Sequence, residues 1–235
     1  PLWVSNRPVY HTKEGKKVLE YIKSEPPLRF VWDLGEGHKK IKPAGGLPWE
    51  APDVPDNQLR DGELTEKAIE TLHQIKNKPF FLAVGFLKPH IPYVAPQKYW
   101  DLYDKSKLKI ADNPFPPEDA PKCALYNWMD LRHYYGIPKV GPVSDEQALN
   151  LIHGYYACVS FIDAQVGRLI SELEKLNLRE KTIIILWGDN GFQLGEHGMW
   201  DKHSIFETSV HCPLIISVPD QKPKGIKTCL LYTSD

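Results

Sequence analysis

Three short apolar runs limit what this chain can fold into. They are Phe80 to Phe86 (FFLAVGF), Thr182 to Leu186 (TIIIL) and Pro213 to Val218 (PLIISV). Each has the length of a strand and almost no polar residue, a pattern typical of strands that are buried on both faces of a parallel sheet. We therefore predict three buried strands.

Segments with helical periodicity lie between these runs. The apolar residues that share one helical face between positions 64 and 75 are Ala68, Ile69, Leu72 and Ile75. A longer helix is predicted over 144–176, because Ser144 and Gln147 have the spacing of a capping box and a broad apolar face follows. Helices that alternate with buried strands indicate the α/β class, with a sandwich whose mostly parallel sheet is flanked by helices.

The chain divides into three parts by composition. Residues 1–60 are rich in Pro, Trp and Gly and are predicted to form a long irregular segment. Residues 61–220 carry the strands and helices and form the core. Residues 221–235 end in IKTCLLYTSD, which continues no pattern of the core, and we interpret them as a tail that is not native.

Charge and cysteine usage exclude several function classes. A formal net charge of −1 gives no electrostatic surface for nucleic acid or for an anionic membrane. No apolar segment reaches the length of a membrane span. Cys123, Cys158, Cys212 and Cys229 are too widely spaced for a zinc site or a disulfide framework, and they are predicted to be free and buried.

Polar residues follow the second apolar run directly. Asp189 and Asn190 lie where the TIIIL strand ends, and ligands of open α/β sheets bind at that end of the strands. A carboxylate beside an amide carbonyl suits calcium or magnesium, while zinc lacks its usual Cys or His partners. Lys202 adds a cation for an anion. An ordinary Asp-Asn-Gly turn is the alternative, and for the tripeptide alone it is preferred.

A histidine follows the first apolar run in the same way. The sequence LKPHIPY places His90 between two prolines and beside Lys88. If the strands are parallel, His90 and Asp189 lie at the same edge of the sheet. A histidine in a proline-rich loop is otherwise more often a packing residue, by about three to one as a prior.

These segments together resemble the sulfatase family, and within it the iduronate-2-sulfatase-like members. The resemblance rests on FFLAVGFLKPHIPY, YYACVSFIDAQVGRLISELEKL, WGDNGFQLGEHGMWDKHSIFE and HCPLIISVP, in the family's order over residues 50–220. It implies the alkaline-phosphatase-like fold. It also implies hydrolysis of a sulfate ester, for instance on a sulfated glycan, with bound calcium and a formylglycine nucleophile.

The resemblance assigns roles to residues of both loops. Asp189 and Asn190 match metal ligands, with calcium favoured over magnesium. His90 and Lys202 match the catalytic residues that contact the sulfate group. The candidate substrate contacts are Lys88, Phe192 and His197. Compartment follows only by analogy, lysosomal for animal members and periplasmic or secreted for bacterial ones, and the oligomeric state stays open.

The family's nucleophile motif, Cys or Ser followed by x-Pro-x-Arg, does not occur among the 235 residues. We expect the formylglycine in sequence upstream of this chain, and we predict that the chain alone is inactive. Two alternatives remain open. One is a phosphodiesterase or phosphonate hydrolase of the same superfamily, and the other is a carbohydrate-binding pseudoenzyme without catalysis.

Overall fold

The computed structural model describes residues 8–24, 45–125, 130–139 and 141–221. The α-helices in this part of the chain are α1 (Lys13–Ser24), α2 (Arg60–Ile75), α3 (Gln97–Trp100), α4 (Asp145–Lys175) and α5 (Glu207–Val210). The strands are β1 (Trp49–Glu50), β2 (Tyr93–Val94), β3 (Ile184–Trp187) and β4 (Leu214–Ser217). Short 3-10 turns cover Asp56–Gln58, Lys105–Lys107, Lys122–Ala124, Arg179–Lys181 and Glu196–Gly198. Residues 222–235, and with them nearly all of the predicted tail, lie outside the described residues.

Helix α4 is the centre of the fold, as its sequence predicts. The Ser144 side chain accepts the N–H of Gln147 and the Gln147 side chain accepts the N–H of Ser144, which confirms the capping box. The apolar side chains of α4 that are fully enclosed belong to Leu151, Ala157, Cys158 and Phe161. Gly154 lets the helix approach β2 closely, because a Cβ there would lie 2.8 Å from Tyr93 and from Trp100.

The second predicted helix is also confirmed. Helix α2 ends at Ile75 as expected but begins at Arg60, four residues before the periodic pattern. Its buried face includes Ala68 and Leu72, which pack towards α4. Thr65 is fully enclosed, and its hydroxyl donates to the carbonyl of Asp61, so burial of this polar residue leaves its donor satisfied.

The strands form two small sheets. Strands β1 and β2 pair in parallel, with Trp49 opposite Tyr93, and this parallel pair beside the helices confirms the α/β class. Strands β3 and β4 pair antiparallel over Ile184–Trp187 and Leu214–Ser217. The predicted sheet was mostly parallel, and β3 and β4 are the antiparallel exception to it.

The burial predicted for these strands is wrong. Ile185, Trp187, Ile215 and Ile216 are each more than half exposed. Antiparallel pairs need no helix on each face, and within the described residues no helix covers both faces of this hairpin.

Phe80 to Phe86 is not a strand in the structure. An apolar run supplies the side chains of a strand but not its hydrogen-bonding partner, and no described backbone pairs with this segment. Its side chains alternate between half-buried and exposed, and Phe81 is 92% exposed. The prediction of a buried strand here is wrong.

The first sixty residues contain regular structure that the composition did not indicate. Helix α1 begins after Thr12, whose hydroxyl accepts the N–H of Gly15. Glu50 in β1 accepts the N–H groups of His11 and Thr12, which joins the start of this helix to the first sheet. The prediction of a long irregular segment is therefore wrong over Lys13–Ser24.

The cysteines in the described part of the chain differ in burial. Cys123, Cys158 and Cys212 are free, as predicted, but only Cys158 is buried while the other two are exposed. Cys229 lies outside the described residues. Among the helices that the structure describes, none has the length and apolar character needed to cross a membrane.

Candidate active site

The first candidate element is the His90 loop, residues 87–92. The carboxylate of Asp61, in the first turn of α2, accepts the N–H of Leu87 at 2.9 Å and that of Lys88 at 3.1 Å. The Lys88 ammonium donates to the carbonyls of His90 at 2.7 Å and Pro92 at 2.6 Å. The loop is thus held from α2 and also by its own lysine.

The imidazole of His90 is oriented by the same loop. Its Nδ1 lies 2.6 Å from the carbonyl oxygen of Ile91, and a carbonyl can only accept, so Nδ1 carries the hydrogen. No described residue hydrogen-bonds to Nε2, and the residue as a whole is exposed. The ring therefore presents Nε2 to a ligand.

Two ionisable groups at this loop, Asp61 of α2 below it and Lys88 within it, are partly shielded from water. Burial raises the pKa of Asp61, although the hydrogen bonds from Leu87 and Lys88 oppose the effect. Burial likewise lowers the pKa of Lys88. Cys158 lies nearby, and burial raises the pKa of its thiol to about 12, so it is no nucleophile at neutral pH.

The second candidate element is the Asp189 loop, residues 188–202. The structure leaves the Asp189 carboxylate exposed at the end of β3. The Asn190 side chain is half-buried, and its Nδ2 donates to the carbonyl of Gly191, which leaves Oδ1 available as an acceptor. Only glycine fits at 191, because a Cβ would collide with the backbone of Thr208.

A buried amide braces the Asp189 loop from inside. Gln193 is fully enclosed; its Nε2 donates to the hydroxyls of Ser204 at 2.8 Å and Ser209 at 3.1 Å. Its backbone N–H also donates to the carbonyl of Asp201 at 2.8 Å. Sequence reasoning missed this residue, since nothing in its local pattern distinguishes a buried glutamine from an exposed one.

His197 has an unusual backbone conformation within this loop. Its φ is 57°, the left-handed region that few non-glycine residues adopt. Its N–H donates to the carbonyl of Asn113 at 2.7 Å, and its ring packs 4.2 Å from that of Phe206. The side chain of His197, a predicted substrate contact, therefore packs against another side chain of the protein.

Lys202 is paired with a carboxylate that the sequence analysis did not single out. Its Nζ lies 3.4 Å from the Asp130 carboxylate, and both side chains are mostly buried. The charge of Asp130 adds to burial in raising the pKa of Tyr134. The two residues are 72 positions apart, so only the fold reveals this pairing.

The two loops meet on helix α4. The ring of Tyr155 contacts Tyr93, the residue after the His90 loop, at 5.7 Å between ring centres. The same ring stacks with Phe192 of the Asp189 loop at 5.9 Å and an angle of 29°. We expected a shared sheet edge to bring the loops together; a shared aromatic side chain does so instead. One face of Phe192, a predicted substrate contact, is occupied by Tyr155.

The donor set at Asp189 and Asn190 suits a hard cation but does not complete a site. A carboxylate and an amide oxygen are typical calcium ligands, and calcium takes 6–8 of them. Among the residues that the structure describes, no three acidic, His or Cys side chains are grouped to hold a metal. In the predicted metal centre, Asp189 and Asn190 would therefore supply two of the ligands.

Comparison with known proteins gives a family match over nearly the whole chain. The family model described as "Sulfatase" matches residues 16–234. This range includes all of the predicted core and almost all of residues 221–235.

Similar proteins of known name cover most of this chain. It is 40% identical to human iduronate 2-sulfatase over 180 residues, which are 73% of this chain and 33% of that protein. It is 35% identical to a sulfatase of Formosa agariphila, over 86% of this chain and 40% of that protein. The chain thus spans between a third and two fifths of the length of these curated relatives.

Solved structures share the fold. A phosphonate monoester hydrolase from Silicibacter pomeroyi aligns with a TM-score of 0.64 and 22% identity, over 90% of this chain and 42% of that one. At this identity the likeness concerns the fold alone. It confirms the predicted alkaline-phosphatase-like α/β architecture.

Proposed function

Because the chain belongs to the sulfatase family and is similar to iduronate 2-sulfatases, we propose that it is part of a sulfuric ester hydrolase. The observation that supports this most is the meeting of the two candidate loops on Tyr155. Two elements that are far apart in sequence, the one proposed to be basic and the one proposed to bind the metal, are thereby linked through one side chain of α4. Sulfate ester hydrolysis uses both kinds of group at one place.

A sulfated carbohydrate is the proposed substrate class. The relatives include proteins named iduronate 2-sulfatase, whose name indicates a sulfated sugar acid. The charge balance of the site agrees with a singly charged ester, because Asp130 partly neutralises Lys202 and the carboxylate of Asp189 lies in the same loop. A doubly charged phosphate monoester would need more positive charge.

The chain's own residues have distinct tasks in this proposal. Lys202 binds a sulfate oxygen and stabilises charge on the transferring group, at the expense of its pairing with Asp130. His90 faces the ligand through Nε2, and as an imidazolium it donates a proton to the leaving oxygen. Each group of this type contributes about 3 kcal/mol to transition-state stabilisation.

The proposal also requires a metal ion and a nucleophile, which the described residues do not include. A calcium ion held in part by Asp189 and Asn190 would supply Lewis-acid chemistry and orient the sulfate. A formylglycine contributed by other sequence would supply the nucleophile.

Paired esters test the proposal. A protein that carries this chain together with the nucleophile motif should hydrolyse an aryl sulfate well above the matching aryl phosphate and aryl phosphonate. His90→Asn and Lys202→Met should each reduce kcat/KM by roughly 100-fold. Lys67→Met, which removes an exposed lysine paired with Glu70, is the matched control. Preference for the phosphonate ester would replace this proposal with the superfamily alternative, and binding of sulfated sugar without turnover would favour the pseudoenzyme.

The isolated 235-residue chain should release no sulfate, since it holds no nucleophile motif. Ion chromatography of inorganic sulfate after incubation with an aryl sulfate measures this directly. Sulfate release above that of an Asp189→Asn sample prepared in parallel would contradict the expectation.

A further inference from the structure

We propose that Asp61 and Lys88 are positioning residues for His90: together they set the loop backbone so that Ile91 holds the Nδ1 hydrogen and Nε2 faces the ligand. The catalytic consequence rests on the proposed function, but the orientation of the ring does not. This assigns Lys88 a role other than substrate contact. It also gives a role to Asp61, which the sequence analysis did not select.

Asp61 fixes the entrance to the loop. Its two carboxylate oxygens each accept one backbone N–H, from Leu87 at 2.9 Å and from Lys88 at 3.1 Å. Only 4% of Asp61 is exposed, so water cannot replace these bonds readily. The pair of contacts restrains both the position and the direction of the chain as it enters the loop.

Lys88 fixes the carbonyls on both sides of Ile91. Three consecutive carbonyls in this loop belong to His90, Ile91 and Pro92. Lys88 donates to the first and third of them, at 2.7 and 2.6 Å. The middle carbonyl is then directed at the His90 ring and accepts from Nδ1 at 2.6 Å. With two of its three N–H donors committed to the backbone, Lys88 is poorly placed to bind a sulfate.

The orientation has a definite chemical meaning. With the hydrogen on Nδ1, the neutral ring is an acceptor at Nε2, and the charged ring is a donor there. Loss of the hydrogen bonds that Asp61 and Lys88 make to the loop would let the Ile91 carbonyl turn away. The ring of His90 would then populate both tautomers and several rotamers. Proton transfer depends strongly on placement, so a displaced ring loses rate before it loses affinity.

Nitrogen NMR on the 235-residue chain tests this without any assay of activity. Long-range proton–nitrogen correlation of the His90 ring should show the Nδ1–H tautomer in the unaltered chain. Lys88→Met and Asp61→Asn should shift the ring nitrogens towards a tautomer mixture, while circular dichroism shows the fold retained. Lys139→Met is the matched control, because it removes a lysine bond to the carbonyl of Arg132 and should leave the His90 signals unchanged.

Two results would overturn the inference. One is an Nε2–H tautomer in the unaltered chain, a measurement that needs no variant to fold. The other is an unchanged His90 spectrum in well-folded Lys88→Met and Asp61→Asn.

Kinetics of the active protein then test the catalytic consequence. Lys88→Met should reduce kcat by roughly 10- to 100-fold with KM changed by less than about threefold. A direct substrate contact would raise KM and weaken inhibition by inorganic sulfate instead. If the unaltered protein hydrolyses no sulfate ester, the proposed function fails, while the NMR result on the ring stands or falls separately.

Discussion

The two loops of the candidate site are held in place in different ways. The His90 loop is anchored to the main core through Asp61 of α2, and its own half-buried lysine, Lys88, holds it from within. The Asp189 loop is fixed mostly by its own neighbours in sequence, such as Gln193 and Ser209, and it follows a hairpin whose apolar residues are largely exposed. A proton donor needs exact placement, whereas metal ligands can be drawn into place by the ion. The difference in support matches the tasks proposed for the two loops.

The largest expected effect separates the core from the hairpin. Phe161→Ala should cost about 3–5 kcal/mol of unfolding free energy, because the side chain is fully enclosed and packs on Tyr99. Ile216→Ala on β4, where 54% of the residue is exposed, should cost less than about 1 kcal/mol. Urea unfolding followed by circular dichroism measures both. Equal costs would show that the hairpin is as well packed as the core.

A smaller effect should be confined to one of the two loops. Gln193→Ala removes two buried hydrogen bonds to hydroxyls and should cost about 1–3 kcal/mol. Hydrogen exchange should quicken at the amides of Gly191 and Gln193 and stay unchanged at Leu87 and Lys88. Faster exchange at all four amides would mean that Gln193 stabilises both loops.

Acid should reduce the stability of the core through Asp56. Burial tends to raise the pKa of Asp56, but hydrogen bonds from Lys98, Tyr99 and Gln165 lower it below its ordinary 3.8. The unfolded chain therefore binds the proton more readily, so the stability from Asp56 is complete above pH 3.8 and is lost as pH falls through the folded pKa. Thermal melts between pH 5 and pH 2.5, on the order of the range where carboxylates titrate, should show this loss. In Asp56→Asn the melting temperature should fall less as the pH is lowered. An equal fall in the variant would assign the acid sensitivity to other carboxylates.

The smallest effect concerns the pairing of Lys202. Asp130→Asn frees the ammonium from a partly exposed ion pair, which is worth about 0.2–1 kcal/mol, so inorganic sulfate should inhibit the active protein up to about fivefold more strongly. Asp104→Asn, which alters an exposed ion pair with Lys107, is the control. Weaker inhibition in Asp130→Asn would mean that the carboxylate places Lys202 rather than competes for it.

Local patterns were enough to predict the two longest helices, α2 and α4, but not α1. The capping box at Ser144 and Gln147 and the periodicity around Leu72 depend on neighbours within a turn or two, and both helices are present. The run from Phe80 to Phe86 was misjudged, because an apolar run does not reveal whether another strand lies alongside it.

The candidate site shows the same division between local and distant information. Motif residues such as His90 and Asp189 could be selected from the sequence, and their roles remain predictions. Asp61 and Asp130 could not be selected, because the contacts that matter lie 26 and 72 positions away. An acidic residue in the first turn of α2 has an ordinary explanation in the helix dipole, which concealed its second use.

The single ring of Tyr155 has a consequence for motion. Helix α4 is 31 residues long and must tilt and shift slightly as the protein fluctuates. Because Tyr93 and Phe192 both rest on the same side chain of that helix, such a shift carries the two loops in the same direction. We therefore expect the separation between the two loops to vary less than the position of either one.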